Sequence, residues 1–184
     1  MTRQKPHILG IPGSLRRDSY ALAVLRGLQQ VAADRADIEI FSLQAIPLYN
    51  ADFDGEQKPE PVVAFKRAIH DCDGLVLSSP EYNYGMSGVL KNALDWASRP
   101  GYKSVLKDKP ALIMTSSPGL LGGARAQAQL RQTLAATLSR VVAVPEVIIS
   151  QVQSKVADGR LTDEGSLKFM LEALEVLLAQ IRGR

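Results

Sequence analysis

Two apolar runs without alternation, Leu75-Val76-Leu77 and Ala111-Leu112-Ile113-Met114, constrain this chain most. A strand with one wet face alternates apolar and polar residues. A continuous run is covered on both faces, as in a parallel sheet held between helical layers. Further strand candidates place these runs in a series: His7–Ile11, Ile38–Ser42, Gly74–Ser78, Ala111–Thr115, and a last one in Val141–Ile149.

The intervening segments have helical spacing. From Ser19, apolar residues at Ala21, Val24, Leu25, Leu28, Val31 and Ala32 fall on one face. Pro61–Ile69 predicts a second helix with proline in its first turn. Gly88–Trp96 and Ala124–Leu138 predict a third and a fourth. A stripe of Leu167, Met170, Leu171, Leu174, Leu177, Leu178 and Ile181 predicts the last, capped by Thr162 or Asp163.

Five β-α units in alternation predict an α/β fold. The expected form is a flavodoxin-like three-layer sandwich. Its sheet has five parallel strands in the order 2-1-3-4-5, with helices on both faces. The 184 residues suit a single domain, 1–184. The longest irregular stretches, Gln44–Glu60 and Pro145–Arg160, are of a length that is often functional.

Composition excludes several classes of function. No apolar run reaches 18 residues, so no membrane span is expected. The polar stretch Met1–Pro6 lacks the apolar core of a signal peptide, which makes the cytoplasm the expected compartment. The net charge of +3 is spread without any Lys/Arg run longer than two. Nucleic acid is therefore not an expected partner, whereas small anions are favoured. The lone Cys72 excludes an intrachain disulfide and, flanked by Asp71 and Asp73, reads as a buried core residue rather than a nucleophile. His7 and His70 stand in no ligand spacing, and no metal is expected.

In an open parallel sheet, ligands bind beyond the carboxyl ends of the strands. Three such ends carry distinctive residues. The first, Gly13-Ser14-Leu15-Arg16-Arg17-Asp18-Ser19, joins a strand to a helix, so free backbone N–H groups and the helix dipole favour an anion there. Ser14 and Ser19 add hydroxyl donors, and Arg16 adds a forked, charged one. No G-x-x-x-x-G-K-[ST] sequence occurs, and Gly10-Ile11-Pro12-Gly13 breaks the G-x-G-x-x-G spacing. A phosphate monoester of a mononucleotide fits better than a nucleoside triphosphate or a dinucleotide. An ordinary βα turn with surface serines and arginines is the alternative.

The second end is Ser79-Pro80-Glu81-Tyr82-Asn83-Tyr84-Gly85. Its two tyrosines, asparagine and glutamate can bracket a flat heteroaromatic ring, or else pack against a neighbour. The third is Ser116-Ser117-Pro118-Gly119-Leu120-Leu121-Gly122-Gly123. Its glycines permit close backbone approach to a ligand, and the helix beginning near Ala124 and Arg125 can favour negative charge on a reduced ring. A flexible turn is the plainer reading.

These residues carry a resemblance. The stretches Gly13-Ser14-Leu15-Arg16 with Ser19, Ile46–Asn50, Pro80–Tyr84, Leu90–Trp96, and Thr115–Ser117 with Gly122–Arg125 are similar to the NADPH-dependent FMN reductase family. Within that family the chain most resembles the bacterial chromate/quinone reductases. The resemblance implies an FMN cofactor, with NADPH or NADH as co-substrate. Ser14, Arg16 and Ser19 would bind the FMN phosphate. Glu81, Tyr82, Asn83 and Tyr84 would line the isoalloxazine, Pro80 would also contact the cofactor, and Ser117 and Gly119 would close the pyrimidine side.

It also implies a homodimer or homotetramer, with Pro47–Asn50 and the helix through Trp96 at a subunit boundary. Two positions depart from the family pattern. Ala21 stands where an asparagine is usual, which removes one hydrogen bond to the cofactor. Ser87 stands where a proline is usual, and serine suits a helix N-cap.

The expected chemistry is two-step transfer of electrons from NAD(P)H through the flavin to a small acceptor: a quinone, free flavin, an azo compound or an oxidised metal ion such as chromate. The flavin carries that chemistry, so no catalytic side chain is assigned. The rival readings are a flavodoxin-type electron carrier and a flavin-free module on the same fold. A serine hydrolase would want G-x-S-x-G, which does not occur.

Overall fold

A computed structural model describes residues 5–55 and 57–183. The first four residues of the polar stretch Met1–Pro6, and residue 56 of the first long loop, lie outside the described residues. Five strands alternate with five helices: β1 (His7–Pro12), α1 (Tyr20–Val31), β2 (Asp37–Ile40), α2 (Glu60–Asp71), β3 (Gly74–Tyr82), α3 (Gly88–Ala97), β4 (Pro110–Ser117), α4 (Ala124–Ala136), β5 (Val147–Ser150) and α5 (Glu164–Arg182). The strands lie side by side in the order β2-β1-β3-β4-β5, all parallel, as the alternation predicts.

The unbroken apolar runs are explained by the layers they separate. Leu75 and Leu77 of β3 point into one core with Phe65, Ile69, Leu90, Leu94 and Leu130, from α2, α3 and α4. Val76 points the other way, into a core with Val24, Leu25, Leu28, Leu174 and Leu178, from α1 and α5. Ala111 and Ile113 of β4 join the first core, Leu112 and Met114 the second. Strand pleating sends successive side chains to opposite faces, so both need apolar residues.

Helix starts follow local chemistry. The Ser19 side chain accepts the Leu22 N–H at the head of α1, Ser87 that of Leu90 in α3, and Asp163 that of Ser166 in α5. Asp163, rather than Thr162, is thus the cap of α5.

The last strand differs from expectation. Val141–Ile149 is not one strand but two pieces: Arg140–Val141 pairs with the start of β4, and Val147–Ser150 with its end. Pro145 interrupts between them, since proline has no N–H for the ladder. The fully buried Gln127 of α4 spans this break, its Nε2 donating to Ile113 O at 3.4 Å and to Val147 O at 3.0 Å. A side-chain amide thereby supplies donors where the strand ladder is interrupted.

Two strands also run further than expected. β3 continues from Ser78 to Tyr82 and β4 from Thr115 to Ser117, because Ser79 and Pro80 pair with Thr115 and Ser116. Beyond Tyr82 the chain turns back, and Gly85–Met86 pairs antiparallel with Glu81–Tyr82.

Candidate active site

The loop after β1 is fixed at its root by Gly13 N–H, which donates to Ser78 O at 2.8 Å. Ser19 Oγ is committed to Leu22 N–H at 3.2 Å, and Ser14 Oγ accepts from Arg16 N–H at 3.4 Å. The N–H groups of Tyr20 and Ala21, in the first turn of α1, have no acceptor among the described residues. The Arg16 guanidinium lies 5.8 Å from the Tyr20 ring centroid and has no carboxylate within 4.0 Å among the described residues. Unspent N–H donors, a hydroxyl and an unpaired guanidinium therefore converge at one helix start.

One crevice joins three strand ends. Ser14, Arg16 and Ser19 line it from the first loop, Pro80, Glu81 and Tyr82 from the second, and Ser117 and Pro118 from the third. Ser116 also lines it, and its buried Oγ has no hydrogen-bond partner among the described residues. Asn83, Tyr84 and Gly119 do not line the crevice directly.

The second strand end is a tight hairpin rather than an open loop. Asn83 and Tyr84 form its two-residue turn, with φ of 49° and 67°. Consecutive positive φ values are those of a type I′ turn, whose usual sequences are Asn-Gly and Asp-Gly. A tyrosine in this region is uncommon. Here it is held by Arg125, whose guanidinium carbon stacks 4.1 Å from the ring centroid.

Glu81 has a role that sequence reading missed. Its Oε2 accepts from Arg125 N–H at 2.9 Å and Ala126 N–H at 3.2 Å, and Oε1 lies 3.4 Å from Arg125 Nη1. The positive end of α4 thus already holds a carboxylate, where the sequence had left those N–H groups free for a reduced ring. The partners are 44 residues apart, so no local signal revealed the contact.

The glycines of the third end also differ from expectation. Gly122 and Gly123 have positive φ, and a Cβ on them would strike Ile148 and Thr115, respectively. They serve packing against β5 and β4. Gly119 is open, its N–H donating to Ser117 Oγ at 3.1 Å.

A larger cavity, about 840 Å³, opens at the opposite end of the sheet beside Lys5, His7, Asp37 and Asp73. Polar groups there already have partners: His7 Nε2 with Glu39, Asp73 with His7 N–H, and Lys5 with Ala33 O. Volume does not mark the site here; donor chemistry at the carboxyl strand ends does. Cys72 is buried, and burial pushes its thiol up, against a nucleophilic role.

The family model for NADPH-dependent FMN reductase matches residues 6–154. The chain belongs to that family. It is therefore an oxidoreductase with FMN as cofactor and NAD(P)H as co-substrate. An NAD(P)H-dependent FMN reductase of Pseudomonas aeruginosa is 42% identical over 180 residues, covering 96% of this chain and 97% of the relative. A 2-hydroxy-1,4-benzoquinone reductase of a Burkholderia species is 38% identical over 175 residues, covering 95% of each.

Among solved structures, the flavoenzyme NAD(P)H:(acceptor) oxidoreductase of Paracoccus denitrificans superposes with a TM-score of 0.85 at 32% identity. That match covers 97% of this chain and 98% of the other. The crevice fits a flavin mononucleotide chemically. Free N–H groups and Arg16 suit a phosphate, and the unpartnered Ser116 hydroxyl suits a polar ligand edge.

Proposed function

We propose that this member of the FMN reductase family is an NAD(P)H:quinone oxidoreductase. The observation that carries the reading is a crevice shared by the ends of β1, β3 and β4, with the unpaired donors of the first loop at one wall and Tyr82 at another. Relatives named as quinone reductases, such as one from Escherichia coli at 40% identity, support the acceptor class. Free flavin, azo compounds and oxidised metal ions such as chromate are further acceptors in this proposal.

In this reading Arg16, Ser14 and the N–H groups of Tyr20 and Ala21 hold the phosphate. Ser19 shapes the cradle by capping α1. Pro80, Glu81 and Tyr82 form the wall for the isoalloxazine, while Asn83 and Tyr84 form the turn that stiffens it. Ser117 and Gly119 close the pyrimidine side, with Ser116 Oγ beside them as a free polar group. The bound flavin supplies the two-electron chemistry between nicotinamide and acceptor. The protein contributes position and electrostatics, and no side chain is assigned as an obligate proton donor.

Self-association is part of the proposal. Leu48 is 84% exposed in a loop that α3 otherwise ties down by hydrogen bonds from Asn92 and Trp96, which supports that face as a subunit boundary. Size-exclusion chromatography with light scattering should give a dimer or tetramer that Leu48→Glu weakens. Among the described residues no helix is long and apolar enough to cross a membrane. We place the protein in the cytoplasm.

The test is the absorption spectrum of the purified protein, followed by anaerobic addition of NADPH and then a benzoquinone. A flavin band that bleaches with NADPH and returns with the quinone supports the reading. A bleached band that returns only with a one-electron protein acceptor points to a carrier. Failure to bind added FMN would reject the site.

A further inference from the structure

The Glu81 carboxylate lines the crevice, yet its oxygens are turned to the first turn of α4 and to Arg125. The Glu81 side chain is 13% exposed and that of Arg125 is 47% exposed, so the negative partner is the more desolvated. A helix start carries a partial positive charge of about half an electron. Three charges of alternating sign thus meet at Glu81, which lines the crevice, while the start of α4 and the Arg125 guanidinium stand behind it, outside the lining. Arg125 is also the residue stacked on Tyr84, which ties this group to the hairpin.

We propose that the Glu81–Arg125 pair sets the reduction potential of the bound flavin, Glu81 holding it down and Arg125 holding it up. The inference rests on FMN occupying this crevice. Two-electron reduction places negative charge on the polar end of the ring system. A carboxylate in the wall opposes that charge, while a guanidinium and a helix start favour it, and low local polarity strengthens each effect. Glu81 cancels much of the positive field of α4 and Arg125. The enzyme thereby keeps a flavin that is ready to pass electrons on rather than one that retains them. Neither residue is assigned to bond breaking; both act through the field at the cofactor.

Redox titration of the flavoprotein against dyes of known potential tests this at fixed pH and ionic strength. Glu81→Gln keeps a carbonyl oxygen to accept the Arg125 and Ala126 N–H groups but removes the charge, so the potential should move positive. Arg125→Gln should move it negative, and Arg125→Lys should stay near wild type. Opposite shifts are a signature that loss of packing would not produce.

Shifts of the same sign in the two glutamine variants, or no shift in either, would overturn the pair's role. So would loss of FMN from both Glu81→Gln and Arg125→Lys while wild type retains it, since the pair would then be scaffolding. If wild-type protein takes up no FMN, the site itself falls and this assignment with it.

Discussion

Gln129 Oε1 accepts the Met86 N–H at 2.6 Å, in space that a side chain on Gly85 would fill. A Cβ on Gly85 would lie 2.6 Å from that same oxygen. Glycine at position 85 thus leaves the room in which α4 bonds the returning arm of the hairpin.

Gly85→Ala should push the Gln129 carboxamide aside and cost about 1 kcal/mol, the worth of one hydrogen bond. Gln129→Ala leaves the buried Met86 N–H without its acceptor and should cost about 1–3 kcal/mol. Urea unfolding midpoints check both. Equal stability in all three proteins would mean that α4 does not brace the hairpin.

Asn92 fastens the exposed loop at Pro47–Tyr49. Its Oδ1 accepts Tyr49 N–H at 2.7 Å, its Nδ2 donates to Pro47 O at 2.8 Å, and Trp96 Nε1 donates to the same carbonyl at 2.9 Å. Asn92→Ala removes two of the three bonds and should cost about 1–3 kcal/mol. Limited proteolysis should then cut near Leu48 several-fold faster than in wild type, while Trp96→Phe should give a smaller effect.

Arg16→Ala should weaken FMN binding roughly 10- to 100-fold, the range for loss of charge-assisted hydrogen bonds worth about 1.5–3 kcal/mol. Fluorescence titration of apo-protein with FMN measures this directly. Riboflavin, which lacks the phosphate, should bind wild type and variant alike. A variant that loses affinity for both would place Arg16 away from the phosphate.

Asp163 caps α5, and its hydrogen bonds with Ser166 hold the carboxyl below the usual carboxylate range. A folded-state value below the unfolded one stabilises the protein above about pH 4, and that contribution is lost as pH falls through the lower folded value. Asp163→Asn retains a cap but cannot titrate. Its melting temperature should therefore drop less than that of wild type between pH 5 and pH 2. Asp163→Ala should cost about 1 kcal/mol at neutral pH.

The layered fold was legible because Leu75–Leu77 and Ala111–Met114 each need two apolar partner layers, and only helices on both faces supply them. The helix caps at Ser87 and Asp163 were legible because their contacts reach only three residues along the chain, whereas Ser19, which caps α1 over the same span, reads from the sequence only as a phosphate donor. The gathering of Ser14, Arg16 and Ser19 at one crevice was legible for the same reason, as they lie close in sequence. Contacts between distant segments were not. Glu81 with Arg125, Gln129 with Met86, and Gln127 across β4 and β5 all depend on where α4 lands on the sheet. The hairpin at Asn83–Tyr84 escaped notice because tyrosine is a poor predictor of a left-handed turn. The divided last strand read as one because Val141–Ile149 is apolar throughout apart from Pro145 and Glu146.

That division bears on how copies of this chain can meet. One edge of the sheet is the four-residue β2, carrying Asp37 and Glu39; the other is two short pieces with Pro145 between them. Neither offers the long, uncharged row of backbone groups that recruits a strand from another molecule. Edge-to-edge stacking is thereby disfavoured even though the sheet's interior is almost wholly apolar, and the self-association proposed above is left to side chains on helices and loops.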